Sequence, residues 1–167
     1  MSFDLRPVEY LRITQEEYKE FLKDQGSIRR AMSCCILTNH IIDHVVACYY
    51  PSDAGKLHIL PSLKSENAVK AYRDHVVGEC PNVSVIRDVC DFGKHGPKLR
   101  RSNIVVERTG VREIYGFYPS FLPIRASNYT KRSRVLITKT NREELYLLTV
   151  LSSVLGYWNA KFLQDTL

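Results

Sequence analysis

The stretch that most restricts how this chain can fold lies near its end. Leu145, Leu148, Leu151, Leu155, Trp158 and Phe162 recur at intervals of three and four, and Tyr146, Val150, Val154 and Tyr157 widen the apolar side. An apolar stripe this wide needs cover over more than one face, so the chain must either build a core around the helix or lend its spare face to another molecule. With 167 residues, 44% of them hydrophobic, the chain can bury such a core within one domain spanning residues 1–167. Thr140-x-x-Glu143 has the form of a capping box, which predicts a closing helix at about 141–165. If that helix keeps a free face, Leu151, Leu155, Trp158 and Phe162 are its candidate partner-docking residues.

Shorter patterns precede it. Residues 8–13 read as a strand, and Thr14 as the cap of a helix running from 15 to about 25, with Glu16 and Glu17 in its first turn and Gly26 as its stop. Residues 32–38 and 41–50 are rich in Ile, Val and Cys and read as two antiparallel strands, followed by a turn at Pro51 and a third strand at 56–60. Ala68, Val69, Tyr72 and Val76 recur at helical spacing from Ser65 until Pro81-Asn82. Residues 83–89 alternate like a strand, 92–101 form a loop, and 104–108 with 111–117 suggest a hairpin turning at Thr109-Gly110. A last strand is expected at 135–138. The resulting order, β-α-β-β-β-α-β-β-β-β-α, predicts an α+β domain, a largely antiparallel sheet with helices on one face.

Charge is distributed unevenly. The net charge is +6, yet residues 92–142 hold 12 Lys and Arg against Glu107 and Glu113 alone, a local net of +10. Lys94, His95, Lys98, Arg100 and Arg101 form one basic cluster, and Arg125, Lys131, Arg132 and Arg134 form a second with Tyr129 among them. Ammonium and guanidinium groups neutralise phosphates and release counterions, and aromatic rings give unpaired bases a stacking surface. The expected function is therefore a non-enzymatic module that binds nucleic acid, RNA ahead of DNA, through residues 92–134, as a subunit of a larger complex. An acidic protein surface is the alternative partner, with the closing helix as a second docking element.

Other chemistry finds less support. Phosphate-binding glycine loops, G-x-S-x-G and H-E-x-x-H are absent. A small metal-independent nuclease using His95, Tyr129 and Lys131 remains as a third reading. His40, His44 and Cys48 stand four apart, which on a strand spreads them over about 13 Å per step and prevents chelation. His75, Cys80, Cys90 and His95 lack the tight pairs of a zinc knuckle, so no metal or cofactor is expected. The five cysteines are odd in number, with Cys34 and Cys35 adjacent, which suits a reducing compartment. The longest apolar stretch, 145–158, is too short and mixed to span a bilayer, and the expected location is intracellular, in cytoplasm or nucleus.

Overall fold

Over residues 5–95, 106–117, 129–139 and 142–163, which the computed structural model describes, the chain forms five α-helices and a three-stranded antiparallel sheet. The first helix, α1 (Pro7–Lys23), begins where Pro at the first position suits the fixed φ of a helix start. The Glu9 side chain accepts from the Arg6 backbone N–H at 3.0 Å and from the Arg6 guanidinium at 3.1 Å. The expected strand at 8–13 is thus the first part of α1. Thr14 is not a cap but lies buried inside the helix, its hydroxyl donating to the Tyr10 carbonyl at 2.9 Å.

Ser27 caps the second helix, α2 (Ile28–Tyr49), accepting from the Arg30 N–H at 3.4 Å. This one helix replaces the two expected strands. Its buried residues, Ala31, Cys34, Cys35, Thr38, Ile41, Ile42, Val45 and Val46, follow a helical stripe with no strand alternation. α2 is also long and apolar enough, at mean hydropathy 1.3 over its best window, to cross a bilayer by length and composition, a property the 145–158 stretch was expected to come nearest to. Its apolar side is the centre of the helical layer, packed against α1 and three later helices.

A 3₁₀ turn, Ala54–Leu57, stands where a strand was expected at 56–60. The Tyr50 hydroxyl anchors the following loop by donating to the carbonyls of Pro61, at 2.9 Å, and Leu63. Helix α3 (Ser65–Glu79) matches its periodicity, with Ala68, Tyr72 and Val76 buried. Pro81 marks only a corner, because α4 (Asn82–His95) starts directly after it, replacing the strand expected at 83–89 and the first residues of the expected loop. Val83, Val85, Ile86, Val89 and Cys90 bury one side of α4.

The sheet is small. Strand β1 (Val106–Phe117) is continuous: Gly110 faces Leu136 in mid-strand, so Thr109-Gly110 is not a hairpin turn. β1 pairs with β2 (Tyr129–Lys139) from Val106↔Lys139 to Phe117↔Tyr129, and the short β3 (Glu144–Tyr146) joins the other edge of β2 at Leu136–Thr138. Arg142 turns the chain between them with φ 65°, its N–H donating to the Lys139 carbonyl at 2.9 Å. Val135 and Ile137 are buried against the helices, and the Val135 N–H donates to the Gln25 carbonyl at 2.9 Å, fastening β2 to the α1–α2 corner.

The closing helix, α5 (Leu147–Leu163), begins later than the expected 141. Leu145 and Tyr146 are strand residues, Glu143 precedes β3, and Thr140 lies outside the described residues. The fold is mixed α and β, as the composition of elements suggested. Helices dominate, however, and the order α-α-α-α-β-β-β-α replaces the hairpin-rich one.

Candidate functional site

The basic residues singled out above divide into three groups. Lys98, Arg100 and Arg101 in the α4–β1 connection, and Arg125 in the β1–β2 connection, lie outside the described residues. Lys94 and His95 form the last turn of α4. Tyr129, Lys131, Arg132 and Arg134 all stand on β2, where the register sets Tyr129 opposite Phe117, Lys131 opposite Tyr115, Arg132 opposite Ile114 and Arg134 opposite Arg112. Because successive strand residues alternate between faces, Tyr129 and Lys131 share one face of the ribbon with Phe117 and Tyr115, while Arg132 and Arg134 belong to the other. The two connections carrying the remaining cations attach to opposite ends of β1, which at 3.4 Å per residue lie about 37 Å apart. Among the described residues, the cations of the second cluster stand in sequence along β2.

Neighbours modify some of these cations. Arg134 is half-buried, with its guanidinium 5.4 Å from the Tyr146 ring centre and its Nε buried without a hydrogen-bond partner. Arg112 is bridged by Glu144 through both terminal nitrogens, each at 2.7 Å. That pair raises the Arg112 guanidinium above its usual range.

The docking residues expected on the closing helix have another role. Leu151, Leu155 and Trp158 are buried inside the chain, Trp158 completely, and Phe162 is partly buried with its ring stacked on Trp158 at 5.8 Å. Tyr72 and Tyr157 complete the aromatic cluster at 6.5 and 5.2 Å from Trp158. Leu151, Leu155 and Trp158 are thus taken up by the core, and Phe162 alone of the four keeps part of its ring exposed. On the rim, the Tyr157 hydroxyl donates to Glu79 at 2.6 Å and Lys161 pairs with the same carboxylate at 2.9 Å.

A second constellation depends on α2 being a helix and has no counterpart in a strand reading of residues 32–50. His40 Nδ1 donates to Asp43 Oδ2 at 2.6 Å, one turn along α2. The other oxygen of Asp43 lies 3.6 Å from Arg73 Nη2 on α3. Arg87 and Asp91 pair at 3.9 Å on α4, close enough for their charges to act on Arg73. The Arg73 side chain is only 14% exposed, and its Nε is buried with no hydrogen-bond partner. Burial pulls its guanidinium below the ordinary value, Asp43 opposes that shift, and Arg87 adds repulsion. One turn beyond His40, the His44 ring stacks on Tyr10 at 3.8 Å. Burial, with the charge of Asp43 adding to it, raises the Tyr10 hydroxyl. The signal that could have revealed this set is the His40-x-x-Asp43 spacing, which joins two side chains on a helix and separates them on a strand.

The helix also removes the reason given above against a metal at His40, His44 and Cys48, since four residues then advance about 6 Å. The first two rings are engaged by Asp43 and Tyr10, and Cys48 is an exposed thiol. Among the described residues, no three His, Cys, Asp or Glu side chains converge as metal ligands. Comparison with protein-family models, curated proteins and solved structures returns no match.

Proposed function

We propose that the β1–β2 ribbon, with the basic connections at its two ends, binds nucleic acid, and single-stranded RNA before duplex DNA. The observation that carries this reading is the register. It aligns Lys131, Arg132 and Arg134 along one strand and pairs Tyr129 with Phe117 and Lys131 with Tyr115. Lys131 in line with the aromatic positions 115, 117 and 129, and Arg132 and Arg134 on the opposite face, suit a polyanion whose bases can stack. A two-stranded ribbon about 37 Å long also suits a rod-like phosphate backbone better than a compact acidic protein. The burial of Leu151, Leu155 and Trp158 favours this reading over an adaptor that docks through α5.

The test is fluorescence anisotropy of labelled single- and double-stranded RNA and DNA across a salt series. Binding to a single strand should weaken with salt at a slope of about −0.7 per phosphate neutralised, so Lys131→Ala/Arg132→Ala should make the slope shallower by about 1.4. Failure of the wild type to bind at low salt, or a double variant with the wild-type slope, overturns the assignment.

A further inference from the structure

We propose that Arg112 and Arg134 form a phosphodiester subsite on the outer face of the sheet, and that Glu144 holds Arg112 there as an internal stand-in for the phosphate. This rests on the nucleic-acid reading above and gives its ligand a face and a pair of cations.

The register decides the face. Val135 and Ile137 are buried against the helices, so alternation along β2 turns position 134 outward, together with Arg112 across from it on β1. β3 places Tyr146 opposite Leu136 and Glu144 opposite Thr138, and the same parity sends both to the outer face. The side-chain contacts agree. The Arg134 guanidinium lies 5.4 Å from the centre of the Tyr146 ring, and Arg112 meets Glu144 with both terminal nitrogens at 2.7 Å.

Charge is left unbalanced at this spot. Directly opposed residues of an antiparallel pair have Cα atoms about 5 Å apart, and like charges so placed repel. One carboxylate serves two guanidiniums. Glu144 is taken by Arg112, while Arg134 has only the face of Tyr146 as a partner among the described residues. Its Nε is buried, but its terminal nitrogens, which meet no acceptor among those residues, stay open to solvent. Stacking on Tyr146 fixes the guanidinium in place, which lowers the entropy cost of using it to bind.

A phosphodiester completes this arrangement. Its two free oxygens match the guanidinium fork as a carboxylate does, so it can take the place of Glu144 on Arg112 and reach Arg134 as well. The exchange is easy because the Arg112 and Glu144 side chains are 50% and 40% exposed, and exposed ion pairs are weak. A strand of phosphates has a further advantage over a single carboxylate. Position 132 lies on the same face, two residues and about 7 Å along β2, and continues the line.

The experiment reads fluorescence anisotropy of a labelled single-stranded oligouridine RNA against the full chain across a salt series. The wild type, Glu144→Gln, Arg112→Gln, the double variant and Arg134→Gln are compared, with thermal melts to establish that each is folded. Glu144→Gln frees Arg112, so it should bind about fivefold more tightly at low salt, with a salt slope steeper by about 0.7. The same substitution in the Arg112→Gln background should gain nothing, since the cycle isolates the coupling between the two side chains. Arg134→Gln leaves the Arg112–Glu144 pair in place and should make the wild-type slope shallower by about 0.7. Glu144→Gln binding like the wild type overturns the subsite and leaves the binding function of the ribbon standing. A gain that survives without Arg112, or an unchanged slope in Arg134→Gln, overturns the subsite too. Absence of RNA binding in the wild type and every variant overturns both.

Discussion

Trp158→Ala separates a core role from a docking role for the closing helix. Trp158 is fully buried and packed among Tyr72, Tyr157 and Phe162. An indole buries about 200 Å², which at about 25 cal/mol per Å² bounds the transfer loss near 5 kcal/mol. Truncations of buried aromatic residues cost about 3–5 kcal/mol, in the same range. Against a total stability of about 5–15 kcal/mol, this is a large fraction. With a urea dependence of about 2 kcal/mol per molar, the unfolding midpoint should fall by about 2 M. Phe162→Ala, at the partly buried end of the cluster, should fall by half of that or less. The assay is urea denaturation followed by far-ultraviolet circular dichroism, with light scattering on the same samples. A Trp158→Ala protein whose midpoint stays within about 0.3 M of wild type, but whose molecular mass drops, would refute the core assignment.

Two further outcomes follow from the burial and ion pairing. Burial pushes the Cys34 thiol up to about 12 and Cys35 well above its ordinary value, while Cys48 is exposed. A thiol reagent at neutral pH should therefore modify Cys48 alone in the folded protein and all five cysteines after denaturation; labelling of Cys34 at the Cys48 rate would contradict the packing of α2. Glu79 is held below the usual carboxylate range by the Tyr157 hydroxyl and then by Lys161. A depressed carboxylate contributes stability above its unfolded value of about 4.3, and that stability is lost as pH falls through the folded value. Glu79→Gln should accordingly flatten the acid side of the stability profile and leave the neutral region nearly parallel to wild type. An unchanged acid limb in urea titrations would remove the carboxylate from the account.

Periodicity was legible where a helix has one wet side. α3 repeats Ala68, Tyr72 and Val76 against polar neighbours, and its limits were nearly correct. α2 carries a helical stripe as well, Ala31, Cys34, Cys35, Thr38, Ile41, Ile42, Val45 and Val46, but the β-branched Ile and Val within it and the partly apolar run 34–37 favour a strand reading over the helical repeat. In α4, Val83, Val85 and Val89 imitate strand alternation, and Ile86 and Cys90, which complete the helical side, were the clue. Glycine usually marks a turn, yet Gly110 lies in mid-strand across from Leu136. Of the candidate site, charge density was visible in one dimension. The meeting of His40 and Asp43 with Arg73 needed α2 as a helix and α3 folded against it, neither of which composition encodes.

The division of labour between helices and ribbon has a consequence for how such a chain can change. Of the described side chains on β1 and β2, only Val135 and Ile137 are buried, while the fold rests on the interlocked helices. Substitutions at exposed ribbon positions such as Val111 and Arg112 are therefore cheap, and, if the ribbon binds nucleic acid as proposed, a lineage could retune that binding through many single steps without passing through an unfolded ancestor. The helices, with apolar side chains locked against several neighbours, would drift slowly. The surface of the ribbon could then evolve at one tempo and the helical architecture at another within the same domain.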